Sequence, residues 1–192
     1  MLKSMLGIVV CLLVIGCSKN AVNDVASAQT KKVSIPANPE QALFDQVRAG
    51  AYQIGSAIDS IATVRKTVRD MAAKEKGATS QALLKIADQL DAAGKALSDF
   101  SEDPPALEQF KKDFAGQDDK RLKAIDACND SLDDLNEAQD ILSALLDSHP
   151  PEPENTQLTD ADSALDECTQ AVEGAINTMG GKVTNSDDSS GK

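Results

Sequence analysis

Apolar residues recur at intervals of three and four along most of this chain, and that spacing constrains its fold more than any other feature. Phe44, Val47, Ala51, Ile54, Ile58, Ile61, Val68 and Met71 form one such run, and Leu83, Ile86, Leu90, Ala93, Leu97 and Phe100 a second. A third holds Leu107, Phe110 and Phe114, then continues through Leu122, Ile125, Cys128, Leu132, Leu135, Leu142 and Leu146. The last is Leu158, Ala161, Leu165, Cys168, Val172, Ile176 and Met179. A period near 3.6 is that of an amphipathic helix, whereas no segment alternates long enough for a strand. Four apolar stripes with short connections imply an all-α protein, an antiparallel bundle of four helices, or of five if Gly116 breaks the third stripe rather than kinking it.

Punctuation supports these limits. Asn38 is a good N-cap, Pro39 suits the first helical position, and Gln41 stands at capping-box spacing from Asn38. Lys74, Lys76 and Gly77 read as a basic last turn closed by a C′ glycine. The second helix is expected from Thr79 or Ser80. Asp103 is expected to cap the next helix, with Pro104 in its first turn. His149-Pro150-Pro151-Glu152-Pro153 reads as an extended linker, and Gly180-Gly181 as a stop to a helix that begins between Asn155 and Thr159.

The N-terminus carries a different signal. Lys3 precedes an apolar stretch, Met5 to Ile15, too short to span a bilayer core of ~30 Å, so it reads as the core of a signal peptide over residues 1–16. Val14-Ile15-Gly16-Cys17 resembles the lipobox of bacterial lipoproteins. That resemblance implies cleavage before Cys17, acylation of its thiol and new amine, and stable anchoring to a membrane. Ser18 in place of Asp implies the outer membrane, facing the periplasm. Residues 17–37 are polar and aperiodic, a lipidated flexible tether with a reach of roughly 25 Å. The bundle domain is expected over 38–181 and a disordered tail over 182–192.

Of the four cysteines, Cys11 leaves with the signal peptide and Cys17 takes lipid. Cys128 and Cys168 remain, each on the apolar stripe of consecutive helices, and in an oxidising compartment they read as a disulfide. The expected helix ends leave them offset by about 10 Å along the axis, a gap the Pro-rich linker is expected to close by running back. Such a bridge would be worth about 4 kcal/mol.

Charge is unevenly placed. The net charge is −12, but residues 1–100 hold 12 basic and 9 acidic groups while 101–192 hold 7 and 22. Within the third stripe Asp126, Asp130, Asp133, Glu137 and Asp140 recur at four, three, four and three residues, so they share one helix face opposite the apolar one. This face reads as solvated or as a docking surface for a basic protein partner. The acidity argues against nucleic-acid binding. Asp160-Ala161-Asp162 opens like a calcium loop, but Ala164 and Leu165 stand where a ligand and the turn glycine belong, so no metal site is expected. One His (His149), no phosphate loop and no Cys-x-x-Cys-His leave no catalytic constellation, cofactor or small-molecule substrate in view. The expected function is a lipid-anchored, non-catalytic binding or scaffold component of the envelope. Two alternatives stand beside it: an acidic immunity or inhibitor lipoprotein that neutralises a basic toxin or hydrolase, and a pilotin-like secretion accessory.

Overall fold

A computed structural model describes residues 38–148 and 150–184. The signal peptide, Cys17, the tether, His149 and the last residues of the tail lie outside the described residues. The described chain is all-α: α1 (Pro39–Ala72), α2 (Gly77–Leu97), a 3-10 turn (Ser98–Phe100), α3 (Leu107–Lys112), α4 (Phe114–Asp147) and α5 (Glu154–Thr178). No strand occurs among the described residues.

The four long helices close into a ring in chain order, with α1 against α2, α2 against α4, α4 against α5, and α5 back against α1. Each neighbour runs antiparallel to the last. Ser80 at the start of α2 donates to the Ala72 carbonyl at the end of α1 at 2.9 Å. Lys85 near the start of α2 meets Glu137 in the second half of α4. Met179 just past α5 fills the notch left by Gly50 near the start of α1. The four apolar stripes meet inside the ring in one continuous core, in which Leu83, Ile86, Leu90, Leu97, Leu135, Leu142, Leu158 and Leu165 are completely buried.

Local chemistry sets the ends. The Asn38 side chain accepts from the Glu40 and Gln41 amides at 3.1 and 3.2 Å, as an N-cap should. Gln41 does not return the bond; it donates forward to Asp45 at 2.9 Å. The α1 helix stops at Ala72, before the expected Gly77. That glycine has φ 66° and starts α2 instead, two or three residues ahead of Thr79 and Ser80. At the other end Gly180 has φ 76°, its amide donates to the Asn177 carbonyl, and the Gly181 amide donates to the Ile176 carbonyl at 2.9 Å. This is a Schellman closure, and it makes Gly180 the residue that ends α5.

Three expectations need correction. The third stripe does break, giving five helices, but at Asp113 rather than Gly116. Phe110 on α3 is buried and stacks edge-on to Phe44 of α1 at 5.4 Å, which fixes α3 separately from the axis of α4. Gly116 lies inside α4, and its missing Cβ leaves space for the Asp113 carboxylate, whose nearest oxygen would be 2.5 Å away. Asp103 does not cap a helix; the chain is non-helical from Ser101 to Ala106 and α3 begins at Leu107. Finally, residues 182–184 belong to the ordered structure. Asn129 of α4 donates to the Lys182 carbonyl at 3.4 Å and accepts from the Thr184 amide at 2.9 Å, while Val183 packs on the core.

Candidate functional site

On α4, Asp126, Asp130, Asp133, Glu137 and Asp140 are all exposed, and Ile125, Cys128, Leu132, Leu135 and Leu142 on the other side are buried. A rotation of about 100° per residue accounts for both faces. Leu122 departs from the expected stripe: it is 47% exposed, because one turn before Ile125 it has rotated onto the outer face.

The acidic face is relieved from α2, not from its own helix. Lys85 of α2 reaches Glu137 at 2.8 Å. The hydrogen bond from this ammonium, more than its charge, holds the Glu137 carboxyl below the usual range. Asp134, next to Asp133 on α4, is half-buried. Its carboxyl is pushed up by desolvation first, then by the charges of Glu137, Asp130 and Asp133. Sequence spacing could have placed Asp134 beside the stripe, but only packing makes its burial visible.

The acidic surface continues on α5. Asp160, Asp166 and Glu167 are exposed, and Asp166 accepts from Gln139 of α4. Asp162 is pushed up by burial and then by Asp166, and its Oδ1 is buried without a hydrogen-bond partner. Asp126, Asp130, Asp133 and Asp140 form no ion pair with any described residue. Chemically, such an array offers exposed anionic acceptors and a field that draws in cations. Among the described residues, no three His, Cys, Asp or Glu side chains converge to hold a metal ion.

The expected disulfide is not formed: Cys128 and Cys168 are free thiols, each completely buried. Register explains why. Gln139 stands beside Asp166, and Arg121 donates to the Met179 carbonyl at 2.6 Å. Counting from these two contacts leaves Cys128 and Cys168 between about 6 and 13 Å apart along the helix axes. Side chains lean toward the N-terminus of their own helix, so in this antiparallel pair the two thiols also diverge. Helix α5 begins at Glu154, just ahead of the expected Asn155 to Thr159, and this does not bring the two thiols level. Burial pushes the thiols up to about 12 for Cys128 and about 11 for Cys168, which makes both poor nucleophiles.

One small cavity, of about 130 Å³, lies under the 98–105 segment at the pole where α1 begins. Val47, Phe100, Pro104 and Met179 form its apolar wall. Arg121 lines it but is only 15% exposed and is held by Asp118 at 2.7 Å and by the Met179 carbonyl. The space is well below that of ordinary ligand pockets, roughly 300 Å³ and upward.

No described helix is long and apolar enough to cross a membrane. No family model, curated protein or solved structure matches the chain.

Proposed function

We propose that this chain is a non-catalytic binding component of a bacterial envelope, anchored through lipid on Cys17 to the outer membrane and presenting its bundle to the periplasm. The observation that carries the binding part is the row of exposed carboxylates on α4, of which only Glu137 has a cationic partner among the described residues. Carboxylates in a row repel one another, at a cost of a few tenths of a kcal/mol for each i,i+4 pair, and a cationic partner would relieve that repulsion. The anchoring part rests on the lipobox-like sequence Val14 to Cys17.

The same face favours one narrower reading, an inhibitor or immunity lipoprotein that captures a basic envelope-active protein by electrostatic steering. Crosslinking and pull-down of the acylated protein from intact envelopes tests both. Capture of a basic hydrolase or toxin supports the inhibitor, and capture of a secretion subunit would favour a pilotin-like role instead. Charge reversal at Asp130, Asp133 and Glu137 is expected to release the partner at low salt. Cys17→Ala should abolish palmitate labelling and move the protein to the soluble fraction; retention of label would refute the anchor.

A further inference from the structure

Tyr52 is the only tyrosine in the chain and is 80% exposed, whereas all four phenylalanines are buried or half-buried. It stands on α1, which is diagonal to α4 in the ring, so it does not belong to the acidic face described above. An open cleft runs beside it toward the 98–105 segment. Ala51, Tyr52, Gly55, Ser56, Asp59 and Asp103 are among its lining residues.

Each part follows from sequence. Gly55 and Ser56 lie three and four residues after Tyr52 and Asp59 lies seven after, so all share one side of α1. Asp103 is followed by Pro104 and Pro105, whose fixed φ restrains the backbone that carries it. Packing does not demand a glycine at position 55: an added Cβ would come no nearer than 4.0 Å to Ser101. Glycine inside a helix costs stability relative to alanine, and here it leaves the cleft open beside Tyr52. Neither Asp59 nor Asp103 is in an ion pair with any described residue, and no cation lines this cleft. Arg48 lines an adjoining hollow with Asp45 and Gln53, and Tyr52 and Asp103 border that hollow as well.

We propose that this cleft is a docking site for an arginine or lysine side chain of a partner protein, stacked on the Tyr52 ring and held by the carboxylates of Asp59 and Asp103. An exposed aromatic face attracts a cation, and neighbouring carboxylates add charge-assisted hydrogen bonds. The site is separate from the α4 surface, so either can fail without the other.

With one tyrosine and no tryptophan, the intrinsic emission of the whole protein reports on Tyr52 alone. The probe is a hexa-arginine peptide with blocked termini, titrated at low salt, with hexa-glutamate as control. The expected result is a saturable change in tyrosine emission with hexa-arginine only. Gly55→Leu, which fills the cleft without changing charge, and Asp59→Asn with Asp103→Asn should each weaken that response at least about threefold. Asp130→Asn with Asp133→Asn should leave it in place. Helical circular dichroism of each variant verifies folding. Peptide binding seen by calorimetry with no change in Tyr52 emission would overturn the proposal. So would equal affinity in Gly55→Leu, or an emission change on raising protein concentration without peptide, which would make a second copy the occupant.

Discussion

The α1–α2 pair and the α4–α5 pair are built from the same apolar repeat, yet they treat charge in opposite ways. Between α1 and α2, Arg65 and Arg69 converge on Asp91, and within α1 Lys66 lies 4.0 Å from Asp70. Between α4 and α5 the side-chain contact is Gln139 to Asp166, Arg121 reaches the Met179 carbonyl, and no ion pair joins the two helices among the described residues. Lys85 crosses from the first pair to Glu137 of the second, so the near-neutral half lends the acidic half a cation. Core packing therefore sets the fold in both pairs, while charge distinguishes what their outer surfaces can meet.

The comparison fails if the two pairs do not share one core. Leu90→Ala and Leu165→Ala, one in each pair, remove completely buried side chains and are each expected to cost about 2–5 kcal/mol. Urea melts followed by circular dichroism should show one transition for both; two would mean that the pairs unfold separately. Gly50→Val is expected to cost about 1–3 kcal/mol in the same assay, because its side chain must displace Met179 from the notch on α1. Asp91→Asn removes the shared partner of Arg65 and Arg69; these groups are more than one-third exposed, so about 0.5 kcal/mol is expected.

Acid should sharpen the contrast. Asp134 and Asp162 have carboxyls raised by folding, so the folded state takes up their protons first and lowering the pH stabilises it. This gain begins as pH falls through their raised values and is complete below the ordinary Asp value. Glu137 is lowered by folding, so its contribution is present above the ordinary Glu value and is lost as pH falls through its depressed one. Thermal melts across mild acid should therefore rise before they fall, and Asp134→Asn should flatten the rise. The smallest expected effect is none: reductant should leave the melting temperature unchanged. Two thiols should titrate only after unfolding, and a drop equivalent to about 4 kcal/mol would restore the disulfide.

Residues whose environment depends on their own helix were the most legible in the sequence. Every apolar position assigned to α5 from Leu158 to Met179 is buried, and Asn38 caps α1. The five-residue acidic row is exposed as its spacing predicts. What depended on two helices was not legible. The thiols of Cys128 and Cys168 share a core but not a level, which only the α4–α5 register decides. Lys85 meets Glu137 across an interface, and Asn129 catches the backbone of residues 182–184, neither of which leaves a periodic trace. Asp103 had the residue type of a helix cap, but Phe110 holds α3 elsewhere.

An even number of antiparallel helices closed into a ring also brings both ends of the domain to one pole, as the Gly50–Met179 contact records. Which turn is left open then matters little to the packing. Joining the regions of Asn38 and Thr184 by a flexible peptide and cutting the chain at the Lys74–Lys76 turn would give a circular permutant with the same four interfaces. In that permutant a membrane anchor could be attached to the opposite pole, turning the bundle end over end without altering a core residue.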